Sequence, residues 1–153
     1  MREEDLYAPI HAFLEAQGYA VKGEVRGCDM VAIRGEEPPV IVELKTSFSL
    51  ALVLQAVDRL ALADDVYMAV PRASERGAAL RKRRRSIIAL CRRLGVGLLF
   101  VDMKRVSTGA VDRRGVVEAV LDPAPYAPRK SKTRTGRLLK EFHDRVGDPN
   151  RGG

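Results

Sequence analysis

Asp29, Glu43 and Lys45 are the residues of this 153-residue chain whose types and spacing best suit chemistry. Glu43 and Lys45 lie two apart at the charged end of the apolar run VIVEL, and in a β-strand residues two apart project from one face. Asp29 precedes Glu43 by fourteen residues, a gap that fits an adjacent antiparallel strand and sets the two carboxylates side by side. Carboxylates so close repel, which raises the cost of ionising both unless a cation is present. Hard oxygen donors of this kind suit Mg²⁺, or Mn²⁺ in its place, with several waters retained. A neighbouring lysine can orient or deprotonate a water while the metal polarises a phosphate oxygen, so the chemistry is phosphodiester hydrolysis. A strand ending in E-x-K is common, and by itself it means charged residues emerging at the end of a sheet. Its weight here depends on Asp29 and on the elements that hold the three residues.

Those elements can be read from periodicity. Leu6, Ile10, Phe13 and Leu14 recur at helical spacing and predict a helix within Glu3 to Gln17, stopped by Gly18, which Pro9 should kink or delay. β-prone runs follow from Tyr19 to Val25, Asp29 to Ile33 and Val40 to Lys45, the last apolar almost throughout, as in a strand buried on both faces. Ser47 and Ser49 are candidate N-caps for a helix from Leu50 to Ala63, with an apolar face of Leu50, Val53, Leu54, Val57, Leu60 and Ala61. A strand from Val66 to Val70 stops at Pro71. A long helix from Ser74 to its stop at Gly95 has Leu80, Ile87, Ile88, Cys91 and Leu94 inward. A strand from Val96 to Val101 and a weaker hairpin, Arg105 to Ala110 with Gly115 to Leu121, complete residues 1–121. The fold class is α/β: an α-β-β-β-α-β core with a mixed central sheet flanked by helices. Residues 122–153 form a basic, Pro-rich arm, extended through DPAPYAPRKSKTRTG and then helical from Arg137 to Val146. The ending GDPNRGG adds no closing element, and residues 122–153 read as the start of a truncated C-terminal region.

Charge is distributed unevenly. Residues 1–71 carry a net −6, whereas residues 72–93 carry a net +8. Positive charge concentrated in RKRRR makes the long helix basic and amphipathic, and Arg81, Lys82, Arg83, Arg84 and Arg85 are the candidates for contacting a sugar-phosphate backbone. The competing account is a solvated helix face with no ligand. Few aromatics, 5% with no Trp, argue against a stacking platform for single strands and favour duplex or structured DNA as the partner.

With these residues in hand, the chain resembles the PD-(D/E)xK nuclease superfamily, which is restriction-endonuclease-like. The likeness runs over residues 3–102, through GCDMVAI with Asp29, IVELK with Glu43 and Lys45, and LVLQAVDRLALADDVYMAV with Gln55. The segments EDLYAPIHAFLEAQGYAVKGEV and DRLALADDVYMAVP look like a bacterial group described as PD-(D/E)xK-type phosphodiesterases. The resemblance implies that Asp29, Glu43 and the Leu44 carbonyl hold the metal and that Lys45 positions or activates water. It makes Glu4 and Gln55 accessory: Glu4 toward a second metal or a water, Gln55 toward a phosphate or Lys45. Cys28 stands where the superfamily often has proline before the first acid.

Other classes fit less well. The length suits one core, 46% apolar and 31% charged is an ordinary globular balance, and no apolar run approaches the roughly 20 residues of a membrane span. The acidic N-terminus MREEDLYAP lacks a secretory signal, so a cytoplasmic protein is expected. Cys28 and Cys91 read as buried free thiols, His11 and His143 are too far apart in sequence to suggest a zinc set or a Cys-His pair, and no phosphate-binding glycine loop occurs. The principal rival is a non-catalytic nucleic-acid-binding or assembly module on the same scaffold. A homodimer is left open.

Overall fold

Leu6, Ile10 and Leu14, the helical stripe at the start of the chain, are buried along one side of α1 (Glu4–Glu15). The computed structural model describes residues 2–72, 78–107, 115–128 and 132–146. α1 is continuous across Pro9 and begins at Glu4, so the proline delays nothing. Its missing N–H falls near the helix start, where it removes one i→i−4 bond, to Asp5.

β1 (Ala20–Val25) and β2 (Cys28–Ile33) form a hairpin across Arg26 and Gly27. Both loop residues have positive φ, 51° and 79°, the backbone that a two-residue turn needs to match the twist of the strands, and Gly27 adopts it without a side-chain penalty. β3 (Val40–Leu44) is buried at every position and runs antiparallel to β2. β4 (Asp65–Pro71) and β5 (Gly97–Val101) continue the sheet in parallel, and β6 (Val117–Leu121) closes it antiparallel to β5. The six strands lie in chain order, and the two parallel steps are crossed by α2 (Leu50–Arg59) and α3 (Ala78–Leu94). Gly95, with φ of +76°, ends α3 in the left-handed conformation common one residue past a helix.

Each face of the sheet has its own core. α1 covers Met30, Val42, Leu44, Leu99 and Val101. On the other face, Leu52 and Ala56 of α2 and Cys91 of α3 meet Ile41, Val66, Met68 and Leu98. Alternation along β3 therefore turns Val42 and Leu44 toward α1 and Ile41 toward α2. This is a mixed α/β fold, consistent with a restriction-endonuclease-like core.

Beyond α1, the structure departs from the sequence expectations in three further elements. α2 ends at Arg59, and its buried face is Leu52, Val53 and Ala56, whereas Leu50 is 72% and Leu54 55% exposed. Arg59 follows Leu52 and Ala56 at helical offsets of seven and three, so turning it to the sheet turns Leu50, Leu54 and Val57 out. The first residues of the expected strand Arg105–Ala110 belong instead to the short helix α4 (Met103–Ser107), and residues 108–110 lie outside those described. Asp102 Oδ1 accepts from Lys104 N–H at 3.2 Å and Arg105 N–H at 3.4 Å, a side-chain cap that bends the chain into a helical turn. Finally, residues 122–128 carry neither helix nor strand, and α5 (Lys132–Val146) starts five residues before the expected Arg137. The expected helix start at Ser74 and the turn around Asp112 lie outside the described residues. No helix among the described residues is long and apolar enough to cross a membrane.

Candidate active site

The ladder between β2 and β3 ends at Met30 opposite Val42. Beyond that pair the Leu44 N–H donates to a side chain, Asp29 Oδ2, at 2.8 Å. One Asp29 oxygen is thereby anchored to the end of β3, which sets its carboxylate beside Glu43, whose pKa it raises. Glu43 is 1% exposed and is the buried charged residue among those described. Such a carboxylate is stable only with partners.

The main partner is Arg59, which projects from the last turn of α2. Its Nε donates to Glu43 Oε1 at 2.5 Å and its Nη2 donates to the Gly27 carbonyl at 2.7 Å, joining α2, β3 and the β1–β2 turn. Burial raises the Glu43 pKa most, the Asp29 carboxylate raises it further, the Arg59 bond opposes both, and the result is pushed up to about 7. The same bond raises the pKa of Arg59, which stays charged. Cys28, buried beside this group, has its thiol pKa raised chiefly by burial.

Lys45 lies just past β3, its N–H donating to the Ala69 carbonyl at 3.1 Å. Its Nζ is 3.1 Å from Glu3 Oε1, in a pair open to solvent. Glu3, at the N-cap position of α1, is thus the acid brought to Lys45, while Glu4 is exposed. Successive helical residues diverge by about 100°, so the two cannot both face the end of β3. Gln55, one turn before Arg59, has a buried Oε1 with no hydrogen-bond partner among the described residues.

The donor set can be tested against a divalent cation. No group of three or more His, Cys, Asp or Glu side chains assembles among the described residues. Two carboxylates, a main-chain carbonyl and waters remain, which is the hard-oxygen set that Mg²⁺ accepts. Burial raises the Glu43 pKa most and the Asp29 carboxylate raises it further, so a cation between the two acids would favour their ionised forms. The residues present therefore fit such an ion.

The five basic residues at positions 81–85 of α3 divide. Arg81, Lys82, Arg83 and Arg85 are exposed, whereas Arg84 is held by Glu118, with Nη2 3.0 Å from Oε1 and the guanidinium over the Phe100 ring. Arg72 shares Glu118 at 2.6 Å. Sequence reasoning missed Arg59, Glu3 and Glu118. The available signal for Arg59 was its offset of four from Gln55, on one helix face.

The family model described as "Putative PD-(D/E)XK phosphodiesterase (DUF2161)" matches residues 106–153. It is the family that the sequence resembles. The matched PD-(D/E)XK phosphodiesterase segment holds β6 and α5 and ends the chain, while Asp29, Glu43 and Lys45 lie upstream of it. No curated protein and no solved structure matches the chain.

Proposed function

We propose that this protein is a divalent-metal-dependent phosphodiesterase that cleaves nucleic acid, with DNA as the substrate. The observation that carries the reading is the meeting of the Asp29 and Glu43 carboxylates where the β2–β3 ladder ends, with Lys45 two residues on. In this reading Asp29, Glu43 and the Leu44 carbonyl hold Mg²⁺ or Mn²⁺. The ion, when bound, polarises a phosphate oxygen and offsets charge that develops in an in-line displacement. Lys45 directs the attacking water or takes its proton, and Glu3 holds the lysine at this edge of the sheet. The Gln55 Oε1, unpartnered among the described residues, accepts a hydrogen bond from a water or from Lys45. Arg81, Lys82, Arg83 and Arg85 grip the backbone through contacts that position the polymer without reading its sequence.

The test is cleavage of supercoiled plasmid and of labelled single and double strands with Mg²⁺, Mn²⁺ or EDTA, comparing wild type with Asp29→Ala and Lys45→Ala. Metal-dependent cutting lost in both variants, with DNA binding retained, is the expected result. One observation favours a second reading, a binding module without catalysis: Arg59 already places a positive charge on Glu43. Binding that ignores metal and both substitutions, with no cutting, would select it.

A further inference from the structure

The Glu43–Arg59 pair joins three separate elements at the centre of the site. Glu43 sits on a central strand, Arg59 ends the neighbouring helix, and the Gly27 carbonyl lies in the two-residue turn of the edge hairpin. A carboxylate on a strand can rotate about its own side-chain bonds, and here that rotation is stopped. One oxygen is held by Nε, and the guanidinium that holds it is itself held through Nη2. A planar guanidinium provides two donors in fixed directions, whereas an ammonium is a point charge on a flexible stem. The contact also explains the rotational phase of α2, which exposes Leu50 and Leu54 in order to turn Arg59 inward.

We propose that Arg59 is a positioning residue: it braces Glu43 against the β1–β2 turn and so fixes the direction in which that carboxylate faces Asp29 and a bound divalent ion. The inference rests on the phosphodiesterase reading. The opposite role for the same contact is a stand-in cation, which an incoming metal must displace. The two roles differ in sign. A brace strengthens metal binding and a stand-in weakens it.

The experiment is Mn²⁺ binding to the full chain, followed by electron paramagnetic resonance and calorimetry, in wild type, Arg59→Gln and Arg59→Lys. Thermal unfolding is followed on the same samples. Residues that orient a metal ligand typically change metal affinity or activity by about 10–100-fold when replaced. Arg59→Gln is expected to weaken Mn²⁺ binding by that order, and to lower kcat for DNA cleavage while leaving KM for DNA unchanged. Arg59→Lys keeps the charge and loses the fork, so it is expected to weaken binding too, by a smaller factor, and it decides the matter if Arg59→Gln does not fold. Unchanged or tighter Mn²⁺ binding in folded Arg59→Lys overturns the brace. A wild-type protein that binds Mn²⁺ and cuts DNA, with Arg59 variants that bind equally well, sinks this inference alone. A wild type that neither binds nor cuts sinks the phosphodiesterase reading and this inference with it.

Discussion

Two ion pairs flank the candidate site, two residues apart along the same strand and its exit. In the Glu43–Arg59 pair the side chains are 1% and 21% exposed, whereas in Lys45–Glu3 they are 29% and 45% exposed. The first lies in a poorly solvated space where loss of either partner strands a charge, and the second is surrounded by water that replaces a lost partner. Equal-looking contacts therefore have different tasks. The inner pair fixes the geometry of a buried carboxylate; the outer pair holds its lysine at the solvent-exposed edge of the sheet.

The sharpest way to break this contrast is to remove one cation from the inner pair. Arg59→Ala should cost about 3 kcal/mol above the Glu43 pKa of about 7, where the carboxylate is ionised, at the lower end of the range for breaking a buried pair. Urea denaturation of the metal-free protein measures it, and a loss below about 1 kcal/mol would put both pairs in the exposed class. The pH dependence follows with its sign. Glu43 is raised from 4.5 to about 7, so the folded state binds its proton more tightly than the unfolded chain does. Its contribution to stability is full below about pH 4.5 and is lost as pH rises to about 7. Metal-free wild type should lose stability across that window, and Glu43→Gln should flatten the loss; an unchanged profile in the variant would assign the titration elsewhere.

The same contrast sorts the basic helix. Each solvent-facing cation that touches phosphate contributes about −0.9 to the slope of log affinity against log salt. Arg83→Ala should reduce the slope by that amount, whereas Arg84→Ala should leave it alone because Glu118 and Phe100 already hold that side chain. DNA binding titrated at several salt concentrations checks both, and equal slopes for the two variants would remove the distinction. The smallest effect belongs to the outer pair: Glu3→Ala should change stability by less than about 1 kcal/mol in the same urea experiment.

How much of this was legible depends on whether the deciding interaction is local. The strands of the first hairpin and β3 were readable because runs such as VIVEL advertise their own burial, and the adjacency of Asp29 to Glu43 follows from an antiparallel pairing of consecutive strands. The phase of α2 was not readable. In LALVLQAVDR almost every position before Asp58 is apolar, so several stripes look equally good, and the choice was made by Arg59 reaching a carboxylate sixteen residues earlier. The same holds for Glu3 against Glu4: in a run of three acids only the direction of the helix start separates them. The RVS segment failed for the converse reason, since a local cap from Asp102 overrode a β-prone composition.

The chain-order sheet also says something about how the protein is made. Every strand from β2 onward has as its neighbour the strand synthesised just before it, so a growing chain can add to an existing edge without closing a loop around absent sequence. α1 is the exception. It leaves first, yet it packs against β4, β5 and β6 as well as β1. Leu6, Ile10 and Leu14 can meet Met30 and Val42 early but are fully covered only when the last strands arrive, so the helix that carries Glu3 to Lys45 is the part of the site whose packing is completed by the end of the fold.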